Sequence, residues 1–251
     1  MSLPFVRSGV PNPPDMDTPV PADIRETFSF LAGRYDLFNA LASIGMDGSW
    51  RKKAAGMAVG AMRPGSRVLD LCAGTGDLAI EVASLDRYSR IEALDFCPEM
   101  VEIGKAKARA KKLEGRINWT VADASDMPYA NGTFDAITCG FALRNMQKYL
   151  DKVFAESCRV LKPDGFMIAL DLTRPEGRAR KALHGIYLKC ALPVIGFIIY
   201  GRTSPFRYLG ESISGFYTAE EVKEKFLKAG FRECRYETAG FGAAGIYTAV
   251  K

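Results

Sequence analysis

The stretch Arg67-Val-Leu-Asp-Leu-Cys-Ala-Gly-Thr-Gly-Asp77 decides the fold of this chain of 251 residues. It begins with an apolar run that is typical of a buried strand. Gly74 and Gly76 then permit a tight turn at which the backbone can approach a ligand. Asp77 follows at the position expected for a helix N-cap, ahead of further apolar residues. A strand, a glycine turn and a helix in this order predict the first unit of a nucleotide-binding α/β sheet.

The glycine turn alone does not identify a ligand. Gly74-x-Gly76-x-x-Ala79 also satisfies the loose dinucleotide pattern, and a helix packed closely on a strand with no ligand would look the same. Asp95 closes the next strand, 19 residues after Gly76. A carboxylate at this place can accept hydrogen bonds from both hydroxyls of a ribose. At this point NAD and S-adenosylmethionine are both candidate cofactors.

Three features favour S-adenosylmethionine. Asp70 lies inside the first strand, where dinucleotide-binding enzymes do not need a carboxylate. Beyond a third strand, the Asp123 carboxylate and the Ala124 amide can contact the edge of an adenine ring, and a fourth strand ends at Gly140 beside the cleft. This set resembles the class I methyltransferases. The cofactor-binding residues that we predict are Asp70, Gly74, Thr75, Gly76, Asp95, Asp123, Ala124 and Gly140.

Composition and charge are those of an ordinary globular protein, with 48% hydrophobic and 25% charged residues. The net charge of +5 permits an anionic partner but does not demand one. The basic helix predicted over Pro98–Lys112 is better explained as a solvated face than as a nucleic-acid surface, and we expect no nucleic-acid partner. Six scattered cysteines without metal-ligand spacing indicate reduced thiols in a cytoplasmic protein.

The pattern along the chain predicts an arm followed by one methyltransferase domain. Residues 1–21 contain six prolines, and we expect an extended or mobile arm there. Within residues 22–251 we predict an N-terminal helical lid over 22–64, a cofactor-binding core over 65–172, an apolar cap over 173–217, and a C-terminal helix with two strands over 218–251. Core strands are expected near 67–71, 91–95, 117–121, 134–139 and 166–171, with a helix end and turn at Val160–Gly165. The capping box Thr218-Ala-Glu-Glu221 predicts the start of the last helix.

Six blocks of sequence suggest a more specific relationship. They are Arg34–Asn39, Trp50-Arg51, Leu69–Asp77, Phe141–Asn145, Arg159–Gly165 and Tyr208–Ile213. Through these blocks the chain resembles the ubiquinone/menaquinone biosynthesis C-methyltransferase family, and the Leu-Arg-Asn and Tyr-Leu-x-Glu-Ser-Ile blocks are more specific than the glycine motif. The resemblance implies a Rossmann-like fold with a seven-stranded, mostly parallel sheet, helices on both faces, an antiparallel last strand and a small helical cap. It also implies methylation of the ring of a polyprenylated quinol; the ring type, the tail length and a homo-oligomeric state are left open.

The predicted chemistry needs little from the protein beyond alignment and proton removal. S-adenosylmethionine carries an activated methyl group on its sulfonium, so no metal is required. Ring methylation needs a phenolic oxygen that is at least partly deprotonated, although a free phenol has a pKa of about 10. Arg144 can stabilise the phenolate, Asn145 can orient a water, and Tyr35 or Asp95 can complete a proton relay. We therefore predict Arg144, Asn145 and Tyr35 as the catalytic residues.

Other functions also fit parts of the sequence. A methyltransferase of the same fold could act on another small lipophilic or phenolic substrate. An RNA methyltransferase could use Cys139 as a nucleophile, but no basic, aromatic-rich domain accompanies it. A non-catalytic S-adenosylmethionine-binding module would carry the same cofactor residues.

The segment Leu183–Tyr200 is unusually apolar. It is too short and too interrupted for a confident transmembrane span. It can form a buried cap helix, a wall for a lipophilic substrate or a surface that enters a bilayer. Because a polyprenyl tail resides in a membrane, we expect a cytoplasmic protein that associates reversibly with membrane through this cap.

Overall fold

The computed structural model describes residues 28–175, 177–201, 210 and 213–251. Within this part of the chain, seven strands form one sheet. They are β1 Arg67–Leu71, β2 Arg90–Asp95, β3 Ile117–Val121, β4 Phe134–Gly140, β5 Leu161–Leu172, β6 Glu233–Ala239 and β7 Ala244–Val250. The predicted arm at 1–21 and most of the Tyr208–Ile213 block lie outside the described residues.

The strand order is β3-β2-β1-β4-β5-β7-β6. The first five strands are parallel, whereas β7 runs antiparallel between β5 and β6. This arrangement confirms the predicted fold class. The chain moves outward from β1 to β3 and then returns to β4 on the other side of β1. Ligands of open α/β sheets bind at the carboxyl ends of the strands beside such a reversal.

Helices cover both faces of the sheet and one of its ends. They are α1 Tyr35–Ala42, α2 Met46–Ala61, α3 Asp77–Leu85, α4 Pro98–Ala110, α5 Leu150–Val160, α6 Arg178–Ile186, α7 Leu192–Tyr200 and α8 Ala219–Lys228. A π-helical segment, Tyr187–Ala191, joins α6 to α7. The capping box predicted at Thr218 and Glu221 is present at the start of α8.

Two apolar layers form the core. On one face of the sheet, alanines of α2 and apolar residues of α3 pack against β1 and β5. On the other face, Phe154 of α5 stacks on Phe226 of α8 with ring centroids 3.9 Å apart. Tyr247 of β7 is fully buried in the same layer. The two layers fix the sheet, and with it the positions of the strand ends.

The glycine turn differs in one detail from the expectation. The N-cap of α3 is Gly76, with φ of 79°, and Asp77 is the first helical residue. A Cβ at residue 76 would approach the Trp119 ring to 2.3 Å, so this position requires glycine for space as well as for φ. The Asp70 carboxylate accepts a hydrogen bond from Ala79 N at 3.0 Å. A carboxylate from β1 therefore satisfies an amide of the first turn, and Asp77 is not needed as the cap.

Strand β5 begins earlier than expected. The turn predicted at Val160–Gly165 is present as an irregularity within the strand, since Phe134 pairs with Leu161 but Ala136 pairs with Phe166. Asp164 has a φ of 61° in this bulge. Extra residues in one strand bend it locally without ending the pairing.

The α1 helix and the cap pack on each other beside the sheet. Leu31 and Phe38 contact Leu188, Leu192 and Ile199 in a separate apolar cluster. Within the described ranges, no helix combines the length and apolarity that crossing a membrane requires. The proposed domain boundaries stay predictions.

Candidate active site

A polar cavity lies at the carboxyl ends of β1, β2, β3 and β4. We call it the polar cavity, and its lining includes seven of the eight predicted cofactor residues: Asp70, Gly74, Thr75, Asp95, Asp123, Ala124 and Gly140. Gly76 is not part of the lining, because it shapes the turn against Trp119. The topology thus brings together residues that are up to 70 positions apart in the sequence.

Asp70 is buried with its carboxylate engaged by the protein. It is 1% exposed, and it accepts hydrogen bonds from Thr138 Oγ1 at 2.8 Å and Ala79 N at 3.0 Å. Burial raises the pKa of Asp70 to about 7. These bonds connect β1, β4 and the start of α3. Asp70 therefore organises the floor of the polar cavity.

Asp95 holds the glycine turn from the end of β2. Its Oδ2 accepts from Gly74 N at 2.8 Å, and its Oδ1 accepts from Cys97 N at 2.9 Å. Burial raises the pKa of Asp95 to about 6. A carboxylate oxygen can accept more than one hydrogen bond, so Asp95 can still receive ligand hydroxyls.

A charged network joins the lid to this turn. Thr75 Oγ1 donates to Asp36 Oδ1 of α1 at 2.7 Å, and Lys107 Nζ of α4 donates to Asp36 Oδ2 at 2.7 Å. Lys107 also pairs with Asp77. These contacts hold α1 over the polar cavity, where Tyr35 forms part of the wall.

Arg51 is a residue of the polar cavity to which the sequence reasoning gave no role. It pairs with Asp47, lies 3.9 Å from Asp77, and places its guanidinium 4.8 Å from the centre of the Phe141 ring. Among the described residues that line this cavity, Arg51 is the one cationic side chain. The Trp50-Arg51 block contained the signal, because an arginine beside a buried tryptophan on a helix facing the core is unusual.

A second cavity adjoins the first. We call it the apolar cavity; its volume is about 360 Å³. Its walls come from α1, α2, the end of β5 and the cap, and its apolar members are Phe38, Ala42, Ile44, Met46, Trp50, Phe141, Leu172, Pro175, Leu188, Leu192, Ile213 and Ala243. A cavity of this size and character suits a hydrocarbon ring system.

Phe141 is common to both cavities. It directly follows β4, has a φ of 59°, and its amide donates to Leu170 O at 2.6 Å. A positive φ at an aromatic residue is rare and is often found at functional sites. The Phe141 ring thus forms part of the boundary between a polar and an apolar compartment.

The three predicted catalytic residues are divided between the cavities. Tyr35 and Asn145 line the polar cavity, whereas Arg144 lines the apolar one. The sequence predicted one constellation, but the short 3-10 helix Leu143–Met146 directs consecutive side chains to different sides.

Arg144 forms a buried ion pair that the sequence reasoning missed. Its Nη1 donates to Asp171 Oδ1 at 2.7 Å and to Phe141 O at 2.8 Å, and Asp171 is fully buried. The charge of Arg144 is therefore compensated by Asp171, and its action on a phenolate stays a prediction. Asp171 could have been identified from the sequence, because it follows the apolar run of β5 just as Asp70 and Asp95 follow the apolar runs of β1 and β2.

Cys139 does not suit nucleophilic catalysis. The side chain is fully buried in β4, and burial together with nearby carboxylates raises the pKa of its thiol well above the usual value. Because the thiolate is the reactive form, this cysteine is inert at neutral pH.

The sequence matches one protein family over most of its length. The ubiE/COQ5 methyltransferase family model matches residues 17–251. The chain is 37% identical over 229 residues to the ubiquinone/menaquinone biosynthesis C-methyltransferase UbiE of Geotalea daltonii, covering 91% of this chain and 96% of that protein. It is 38% identical over 220 residues to a demethylmenaquinone methyltransferase of Thermus thermophilus, covering 88% and 97%.

The fold also matches solved structures. A SAM-dependent methyltransferase from Thermotoga maritima, described as a possible histamine N-methyltransferase, superposes with a TM-score of 0.63 at 16% identity. The match covers 91% of this chain and 99% of that one. At this identity the likeness concerns the fold alone.

Proposed function

The chain belongs to the ubiE/COQ5 methyltransferase family, and on that premise we propose that it is an S-adenosylmethionine-dependent C-methyltransferase acting on the ring of a polyprenylated quinol. The observation that carries this proposal is the junction of the two cavities at Phe141. A polar cavity rich in carboxylates adjoins an apolar cavity large enough for a ring. Methyl transfer requires that a charged cofactor and a lipophilic acceptor meet with water excluded.

The polar cavity fits S-adenosylmethionine in its donor and acceptor groups. Asp95 would accept the ribose hydroxyls, and Asp123 with the Ala124 amide would contact the adenine. Arg51 would face the carboxylate of the methionine part, because it supplies the positive charge among the described lining residues. The bound cofactor supplies a methyl group already activated on sulfur. The protein therefore needs only to align the acceptor with this methyl group, exclude water from the site and provide a route for one proton.

The apolar cavity would hold the quinol ring. Arg144 donates a hydrogen bond to a ring oxygen, and Asp171 keeps the guanidinium in place. Hydrogen bonding to the developing phenolate lowers the pKa of the phenol. Asn145 and Tyr35, from the adjoining cavity, would hold a water that receives the proton. Phe141 and Trp50 exclude bulk solvent from the ring.

We further propose that the cap and the lid contact a membrane. Of the apolar residues of 183–200, Leu188, Leu192 and Ile199 are buried against α1, whereas Val194, Phe197 and Ile198 are exposed. Ile44, at the entrance of the apolar cavity, is 78% exposed. An exposed apolar surface beside a lipophilic site marks a contact with membrane or protein. Arg178, Arg180 and Lys189 are exposed on the same cap and can meet anionic headgroups.

The test uses the purified protein with S-adenosylmethionine and a chemically reduced quinone that lacks one ring methyl. A product heavier by one methyl group supports the proposal, and cells without the gene should accumulate the lighter precursor. If the protein binds S-adenosylmethionine but methylates no reduced quinone of either ring type, the substrate assignment is wrong.

A further inference from the structure

The apolar cavity contains two buried hydrogen-bond donors without acceptors. One is the Nε–H of Arg144, a residue that is 7% exposed; the other is the side-chain amide Nδ2 of Asn39. Neither atom has a partner among the residues that the structure describes. Both residues line the apolar cavity. A buried donor without an acceptor lowers stability, so two in one cavity need an explanation.

Three other polar side chains around this cavity have partners within the protein. Ser43 Oγ donates to Asp47 Oδ1 at 2.8 Å, and Tyr187 donates to Ala42 O. Asp47 in turn pairs with Arg51. The unpaired donors are therefore not a general property of this region. They belong to two side chains that line the cavity.

The two donors come from different parts of the fold. Arg144 follows β4, next to Asn145 and thus beside the polar cavity. Asn39 belongs to α1, one turn after Tyr35, and its neighbours Phe38 and Ala42 form apolar wall. A ring bound in the apolar cavity would receive one hydrogen bond from Arg144, which follows β4, and one from Asn39 of the lid. Such a ring needs two oxygen acceptors and is otherwise hydrocarbon.

We propose that Asn39 is a substrate-recognition residue that donates a hydrogen bond to one ring oxygen while Arg144 donates to the other. This inference rests on the proposed function and deepens it. It implies that the site binds quinols, whose rings carry two oxygens, in preference to monophenols. Arg144 serves the oxygen beside the methylated carbon, because it adjoins the polar cavity, and Asn39 serves the distant oxygen.

The experiment compares two acceptors and two variants. The acceptors are a reduced quinone and the monohydroxy analogue that keeps only the oxygen beside the methylated carbon. The variants are Asn39→Leu, which removes the donor and keeps a branched side chain with the same number of heavy atoms, and Asn118→Leu as a control. Asn118 is exposed on β3 and lines neither cavity. Rates of methyl transfer are measured by mass spectrometry under reducing conditions, with S-adenosylmethionine affinity measured by calorimetry.

We expect wild type to prefer the quinol by roughly 10- to 100-fold in kcat/KM, the value of one buried hydrogen bond to an ionisable group. Asn39→Leu should lose this preference through a higher KM for the quinol. Its kcat/KM for the analogue should change far less than that for the quinol, and its cofactor affinity should stay unchanged. Its Tm should not fall, because an unpaired donor has been removed. Asn118→Leu should retain the full preference.

Two results would overturn the inference: equal losses on both acceptors, or a retained preference in Asn39→Leu. If Asn39→Leu does not fold, Asn39→Ala, which also lacks a donor, is measured instead and must show the same loss of preference. A wild-type protein that binds S-adenosylmethionine but methylates neither acceptor refutes the proposed function itself. That outcome is separate, because it does not depend on Asn39.

Discussion

The polar and the apolar cavity share Phe141, but they are built in opposite ways. Most residues of the polar cavity sit at strand ends and in the glycine turn, where the sheet fixes their positions, and Tyr35 and Arg51 join them from the lid. The apolar cavity is assembled from α1, α2 and the cap, which meet only in the tertiary structure. This difference suggests that cofactor binding depends on the sheet, whereas acceptor choice depends on the lid and cap. Variants on the two sides should therefore separate the two functions.

The largest effect is expected at the buried ion pair of Arg144 with Asp171, beside the apolar cavity. Asp171→Ala leaves a buried guanidinium without its partner and should lower the free energy of unfolding by about 3–5 kcal/mol. Urea denaturation measures this. Replacing both partners, in Asp171→Leu with Arg144→Met, should recover much of the loss because no uncompensated charge remains. A single Asp171→Ala variant as stable as wild type would show that the pair is not structurally important.

A change confined to the acceptor side should affect turnover and leave cofactor affinity unchanged. Arg144→Lys keeps the charge but loses Nε–H and the planar fork. Turnover should fall by roughly 100- to 1,000-fold, the cost of removing one donor to a developing oxyanion. Calorimetry should give an unchanged S-adenosylmethionine affinity. If cofactor affinity falls in parallel with turnover, the two cavities are not functionally separate.

The converse change is Asp95→Ala, on the cofactor side. It removes the acceptor for the ribose hydroxyls and should weaken S-adenosylmethionine binding by about 1–3 kcal/mol. The KM for the quinol, measured at saturating cofactor, should stay the same. Tight binding of NADH by wild type, with none of S-adenosylmethionine, would contradict the cofactor assignment.

Acidification should also weaken cofactor binding in the polar cavity. Because burial raises the pKa of Asp95 to about 6, the carboxylate is charged above that pH and becomes protonated below it. A raised native pKa means that this group favours the folded state most at low pH, and that this contribution is lost as pH rises through about 6. Cofactor binding has the opposite dependence, because the ionised form is the better acceptor. We expect the dissociation constant to rise below pH 6 in wild type and to show a flatter profile in Asp95→Asn.

The smallest effect is expected at the exposed cap. Phe197→Ser with Ile198→Ser removes apolar surface from α7 without entering either cavity. Activity on a long-tailed quinol in liposomes should fall several-fold, because two apolar side chains no longer bury their surface in the membrane interface. Activity on a short-tailed analogue in solution should not change.

Leu85→Ser with Tyr88→Ser is the matched control. Both residues are also exposed, but Leu85 ends α3 and Tyr88 follows it, at the other end of that helix from the site. Equal losses on both substrates, together with no liposome binding by wild type, would assign the cap to packing alone.

The polar cavity was largely predictable from the sequence because its signals are local. An acidic residue after an apolar run marks a strand end, and parallel strands bring such ends together. The same rule would have identified Asp171, but β5 was interpreted only as a core strand. The bulge that lengthens β5 was not predictable, since it depends on pairing with Phe134.

The apolar cavity was not predictable in the same way. Phe38, Trp50 and Ile213 line one cavity although they are up to 175 positions apart. All three lie in blocks that carry the family resemblance, but the local pattern of each block does not show that they meet in one cavity. The side chains of Arg144 and Asn145 line different cavities because of the 3-10 helix after β4, and the neighbouring residues in the sequence do not specify this geometry.

The central claim is that a methyl group passes from the polar to the apolar cavity and onto a ring carbon. The most direct measurement uses S-adenosylmethionine with a ¹³C-labelled methyl group, a reduced quinone lacking one ring methyl, and NMR of the product. Our account predicts one labelled methyl on the ring carbon next to a hydroxyl, with Arg144→Lys forming it far more slowly. A label on oxygen, or no labelled product from a protein that binds the cofactor, would contradict it.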